Sequence, residues 1–218
     1  VVLEGRSPGR RDTNPVDKAV SKRSSVYLSP LLWLLGILLL VYVGVEFSIG
    51  SWIPSYMHLT TAMNAENGAW VTSAYWAALA AGRLAGAAGG RSLSPIRLLS
   101  LGVGSSLIGA LGLILSHAAL IPTILCLVWI SFSYGTVYPT TVAVATDAFA
   151  QDRGKAVSVL VALGNVGGMA LPWIAGLLLA GVSPHAYLWL IMLSLVVLAA
   201  VVFFANRTLP HGQVVRNA

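Results

Sequence analysis

Residues 30–57 read PLLWLLGILLLVYVGVEFSIGSWIPSYM, twenty-eight residues with a single charge, Glu46. A helix needs about 20 apolar residues to cross the hydrocarbon core of a bilayer, so this run spans with length to spare. Five further apolar runs follow, at about 69–90, 97–116, 119–147, 155–181 and 185–205. The expected fold class is all-α: a polytopic membrane protein whose six transmembrane helices form one bundle over residues 28–206. The first, fourth and fifth runs are longer than a span requires. They contain Gly44, Gly50 and Pro54, Gly135 and Pro139, and Gly164 to Gly168 with Pro172, so they are expected to tilt or bend.

Composition points the same way. Hydrophobic residues make up 57% of the 218 and charged residues 9%, too few charges to cover an aqueous surface. Threading the six runs alternately across a membrane sorts all thirteen Lys and Arg residues onto one side. Arg6, Arg10, Arg11, Lys18, Lys22 and Arg23 lie in the N-terminal segment, and Arg83, Arg91 and Arg97 lie around the second-to-third connection. Arg153 and Lys155 occupy the fourth-to-fifth connection, with Arg207 and Arg216 at the C-terminal end. Cytoplasmic segments accumulate these residues, so both termini are expected in the cytosol, with plasma membrane as the expected location. The outer loops keep His58, Glu66, His117 and His185. The net charge of +6 is concentrated in the tail and at helix ends, which suits anionic inner-leaflet lipid and argues against nucleic acid.

Residues 1–27 hold charges, Pro and Gly without apolar periodicity and are expected to form a disordered cytoplasmic segment, as residues 207–218 form a cytoplasmic tail. The first apolar run begins too late and runs too long for a signal peptide. Because the chain begins with Val, it is read as part of a longer polypeptide. The sequon Asn206-Arg207-Thr208 falls on the cytosolic side, where it is expected to be unused. Cys126 stands alone in an apolar row and is read as packing.

Polarity is uneven among the spans. The third and sixth are the plainest, whereas the others carry Glu46, Arg83, Tyr134, Tyr138 and Asn165. Two polar-bearing helices followed by a plain one, twice over, fits a three-helix unit repeated within the six.

An ionised carboxylate inside a span must face water, find a partner or be protonated, so Glu46 is the leading functional candidate, as a solute hydrogen-bond acceptor or a proton-coupling acid. Helical spacing puts Tyr42, Glu46, Gly50 and Ile53 on one face. On the fifth span Asn165, Gly168, Met169 and Pro172 share a face, and Gly164 with Gly168 forms a small-residue pair for close packing. The Asn165 amide suits a hydroxyl-rich ligand, or backbone freed by Pro172. Tyr134, Tyr138 and Thr141 align on the fourth span, and Thr72, Trp76 and Arg83 nearly do on the second; such residues serve ligand contact or helix packing. Arg83 and Asp147, near cytoplasmic helix ends, form a candidate gate, with snorkelling of Arg83 as the other reading.

Enzyme readings fail on the residues. Gly154-Lys155 lacks the rest of a phosphate loop, no histidine pair has metal-binding helical spacing, and no glycine-framed serine has a histidine to activate it. No cofactor and no metal is expected.

Taken together, YVGVEFSIGSWIPSYM at 42–57, GRLAG at 82–86, YPTTVAVATDAFAQDRGKA at 138–156 and ALGNVGGMALPWIAG at 162–176 resemble the C-terminal half of a major facilitator superfamily transporter. The nearest flavour is the fucose-permease-like branch, through Gly44, Glu46, Gly50, Trp52 and Ile53. The resemblance covers about residues 28–206. It implies twelve helices in two six-helix halves, a midplane cavity between them and alternating access. This chain would supply one half, its cavity wall covered by an N-terminal half or a second copy. The family's Gly-Arg-rich cytoplasmic loop is matched by Gly82, Arg83, Gly86, Gly90 and Arg91, without the usual acidic member. The expected function is transport of a small polar solute such as a sugar, with proton symport through Glu46. The competing reading is a non-transporting membrane sensor or scaffold, or a degenerate transporter fragment.

Overall fold

The computed structural model of the chain describes residues 26–208 apart from Ala62 and Arg91. The expected N-terminal segment up to residue 25, with its six basic residues, lies outside the described residues. So do Arg91, the tail from 209 with Arg216, and the side chain of Thr208 in the sequon. All regular structure among the described residues is helical. In chain order the helices are α1 (Pro30–Thr61), α2 (Ala65–Gly89), α3 (Pro95–Leu115), α4 (Leu120–Tyr134), α5 (Val137–Ala148), α6 (Arg153–Gly181) and α7 (Pro184–Thr208).

Short connections make the path up and down, and the residues at them explain where helices begin. Asn64 caps α2, its side chain accepting from the Asn67 amide at 2.9 Å. Pro95 opens α3 and Pro184 opens α7, where a missing N–H removes a donor that would go unsatisfied anyway. Ser183 Oγ then accepts from the Ala186 amide at 3.1 Å. The α3–α4 turn passes through His117 and Ala118 at φ 46° and 59°, a left-handed conformation rare outside glycine.

The run expected as one helix over 119–147 is two. Pro139 has no N–H to offer the Gly135 carbonyl, so the ladder breaks there. The Gly135 amide closes α4 on the Ser131 and Phe132 carbonyls, at 3.1 and 3.3 Å. Gly135 also backs onto α2, where an added Cβ would lie 2.5 Å from the Leu79 carbonyl oxygen. α4 and α5 together make the fourth of six rods.

Five of these rods are long and apolar enough to span by length and composition: α1, α3, α4 with α5, α6 and α7. α2 has the length, 25 residues, but its Ala, Gly and hydroxyl residues and Arg83 leave it less apolar. Its place in the bundle, between α1 and α4, supplies the protein contact that its composition lacks toward lipid.

α1 is the axis of the bundle. α6 lies along it most extensively, with α7, α2 and α5 around it. Of its most apolar stretch 72% is buried, against 17% for α6, so α6 touches the bundle by one narrow stripe and exposes the rest. That stripe is glycine. A Cβ on Gly167 would collide with the Leu40 carbonyl of α1, and one on Gly164 would press on Val43 at 3.2 Å. Gly168, expected to pair with Gly164 by its spacing, also lies on this contact, where a Cβ would stand 3.1 Å from Val43, and Gly167 makes the closest approach. The indole of Trp52 crosses from α1 to donate to the Pro172 carbonyl at 2.8 Å, so this tryptophan serves helix packing.

A belt of hydrogen bonds runs across the middle of the bundle. Tyr187 of α7 donates to the Ser48 carbonyl at 3.4 Å, Tyr75 of α2 to the Glu46 carbonyl at 3.2 Å, and Ser131 of α4 to the Tyr75 carbonyl at 2.5 Å. Lipid offers no water to satisfy such groups, so cross-helix donors of this kind hold register.

Gly167→Ala is expected to destabilise the protein by about 1–3 kcal/mol through overpacking against α1. Gly181→Ala, with open space around its Cβ position, is expected to be neutral or slightly stabilising. Thermal unfolding of the two variants in detergent, followed by circular dichroism, checks the contrast.

Candidate functional site

Glu46 is the seventeenth of the 32 residues of α1, so it sits near the middle of the membrane-spanning length. It is 4% exposed. Arg83 reaches it from α2, Nη2 standing 3.0 Å from Oε1. The two ends of this pair differ sharply in access: the glutamate side chain is 6% exposed and the arginine side chain 47%. The pair therefore presents its cation and hides its anion. An unpaired charge at this depth is costly, and pairing is the usual reason one is tolerated.

The open side of the pair faces a cleft of about 520 Å³ lined by Val43, Glu46, Phe47, Trp76, Arg83, Tyr138, Pro139, Val161, Gly164 and Asn165. Four helices contribute, and helical spacing explains the contributions. Val43 and Phe47 lie one turn apart on α1, Trp76 and Arg83 two turns apart on α2, and Val161 and Asn165 one turn apart on α6. Phe47 meets Trp76 edge to face, with ring centroids 6.0 Å apart and planes at 68°, which gives the cleft an apolar aromatic wall.

Beneath the ion pair lies a tyrosine stack. Tyr42 of α1 and Tyr134 of α4 are fully buried, with centroids 4.4 Å apart and planes at 16°, and Tyr138 joins at 6.1 Å. The hydroxyls of Tyr42 and Tyr134 make no hydrogen bond, although the Tyr42 hydroxyl lies close to both Glu46 and Arg83. A buried hydroxyl without a partner is uncommon.

Of the residues singled out from sequence, the structure brings Glu46, Trp76, Arg83, Tyr138 and Asn165 to one cleft and sets Tyr42 and Tyr134 directly below it. Asp147 is elsewhere. It is exposed near the end of α5, and the guanidinium expected to pair with it, or to snorkel, goes to Glu46. Thr141 points its hydroxyl back to the Val137 carbonyl at 2.7 Å, and Thr72 bonds the Gly68 carbonyl at 3.2 Å. Val43, Phe47 and Val161 were not singled out, and Pro139 only as a source of bending. Each is adjacent to a singled-out residue or one helical turn from it, which is the signal that finds them.

Comparison with known proteins then places the chain. The model of the Major Facilitator Superfamily matches residues 2–150. The chain belongs to that superfamily. Its members are membrane transporters and not enzymes, so the chain is a multi-pass membrane protein of a transporter family. Its fold is similar to the crystal structure of FucP, a Major Facilitator Superfamily transporter, in the outward conformation, with a TM-score of 0.64 at 18% identity. That match covers 90% of this chain and 47% of the FucP chain, so the chain spans about half the length of that relative. No curated protein matches the chain.

Replacing Tyr134 by Phe removes an unpartnered buried hydroxyl and keeps the stack. It is expected to leave stability unchanged or raise it by about 1 kcal/mol. A loss of that size in thermal unfolding would show that the hydroxyl is paired.

Proposed function

We propose that the chain is one half, the C-terminal half, of a secondary transporter that moves a small polar solute by alternating access, with proton coupling through Glu46. The observation that carries this reading is the Glu46–Arg83 pair on the wall of a mid-membrane cleft, open on the guanidinium side. The cleft's aromatic wall and the Asn165 amide suit a solute with both apolar and polar faces, such as a sugar. A second six-helix unit, an N-terminal half or a second copy of this chain, covers the exposed faces of α1, α2, α5 and α6. The distribution of Lys and Arg supports both termini in the cytoplasm, and the membrane is taken to be the plasma membrane.

In this reading Glu46 is ionised while Arg83 holds it and protonated when the pair opens. Arg83 and Tyr75 of α2, Tyr42 of α1 and Tyr134 of α4 are the charged and titratable groups that face it. Rocking of two halves changes which side reaches the cleft and carries solute and proton together.

Proton-driven uptake into proteoliposomes tests this. Glu46→Gln is expected to abolish gradient-driven accumulation while leaving solute exchange, and Asn165→Ala to weaken uptake by roughly tenfold, the size of one lost hydrogen bond. Asp147→Asn, away from the cleft, is expected to change neither. Uptake unchanged in the first two variants removes the site assignment, and a stable protein that transports nothing moves the weight to a sensor or scaffold.

A further inference from the structure

We propose that the solute bound in this cleft carries a carboxylate, and that Arg83 is the residue that recognises it. The proposal rests on the reading of the cleft as a solute site and narrows it to a chemical class.

The argument is an inventory of donors and acceptors. Arg83 has five N–H donors and no acceptor. Its guanidinium makes one side-chain hydrogen bond among the described residues, to Glu46, and its side chain is 47% exposed. The remainder of the fork is presented to the cleft. The Trp76 indole adds a donor, the Tyr138 hydroxyl on the same wall one donor and one acceptor, and Asn165, exposed there, two donors and one acceptor. The strong acceptor of the site, the Glu46 carboxylate, is 6% exposed and already engaged. Donors therefore outnumber acceptors at the surface a solute can touch. A neutral polyol brings a donor with every hydroxyl and needs acceptors in return. A carboxylate brings acceptors alone, and a planar guanidinium fork can meet it with two parallel bonds.

Charge balance adds a consequence. The resting pair is neutral. A solute carboxylate on the open part of the Arg83 fork puts two anions beside one cation at mid-membrane, which is costly. One proton taken from solvent onto a Glu46 oxygen restores neutrality, with no other bond made or broken. The groups facing Glu46 offer no second cation: Arg83 and Tyr75 from α2, Tyr42 from α1 and Tyr134 from α4. Binding of the acid is thus tied to uptake of one proton.

The test is titration calorimetry of the purified protein in nanodiscs with glucuronate and glucose, a pair that differs only in oxidation at one carbon. Glucuronate is expected to bind at least tenfold more tightly than glucose, and more tightly at pH 6 than at pH 8. In Glu46→Gln, where Arg83 is released from its partner, glucuronate is expected to bind more tightly at pH 8 and to lose the pH dependence. A neutral-sugar site that uses Glu46 as acceptor would show the opposite, a weaker affinity. Arg83→Gln is expected to abolish the preference for the acid. Asn165→Asp puts a carboxylate on the cleft wall and is expected to weaken glucuronate at least tenfold more than it weakens glucose. Equal or tighter binding of glucose, or weaker binding of the acid in Glu46→Gln, overturns the proposal and leaves the cleft as a solute site. Binding of neither compound at millimolar concentration overturns both.

Discussion

The fold is organised by one close approach, that of α6 to α1 through Gly164 and Gly167. With the Leu40 carbonyl lying where a Cβ of Gly167 would be, the two backbones meet with no side chains between them. In a bilayer there is little hydrophobic gain in bringing helices together, so packing of this tightness is what holds them. Its second effect is geometric. α6 is held by its glycine stripe, so Asn165 and Val161, one turn apart, are left facing the cleft.

The same axis helix carries the charge. Glu46 sits where α1 is most enclosed, and Arg83 stands only six residues from the Gly89 end of α2, about 9 Å of helix. A guanidinium so placed could have turned toward the headgroups. It turns inward, because a carboxylate left buried without its partner would cost on the order of 3–5 kcal/mol, more than snorkelling recovers for a side chain already half exposed. The ion pair is therefore a consequence of placing an acid on the central helix. Its uneven exposure follows from the arginine approaching along the cleft wall.

The six runs and their alternation could be read from sequence because they depend on nothing but local hydrophobicity and the exclusion of Lys and Arg from one side. The membrane core demands continuous apolar length, and that demand is written residue by residue. Glu46 stood out for the same reason, as the one charge in such a run. Arg83 as its partner was not. The two are 37 residues apart, and their meeting depends on the rotation of α2 about its own axis, set by Gly82 against the Phe132 carbonyl and Gly135 against the Leu79 carbonyl. The same limit hid the role of Gly167. Helical spacing picks out Gly164 and Gly168, which do pack on Val43 of α1, and only the crossing of α1 shows that Gly167 makes the closest approach. The break after Tyr134 was half legible: Gly135 and Pro139 announce a bend, but a separate α5 requires that the freed Gly135 carbonyl go without an N–H partner.

The tyrosine stack bears on how the pair can open. Tyr42 and Tyr134 fill the space beneath Glu46 with flat rings from two helices, α1 and α4, and their hydroxyls end in the interior without bonds of their own. This floor sets two buried rings on one side of Glu46, and the cleft lies on the open side of its ion pair. It also places a hydroxyl, that of Tyr42, beside the carboxylate and held by no other bond. A carboxylate released by Arg83 would otherwise lose its only charge-assisted contact in a medium where that loss is severe. With Tyr42 one turn below on the same helix, Glu46 has a hydrogen-bonding group besides Arg83 within reach, so the protonated acid of the proposed open form is not left without a partner.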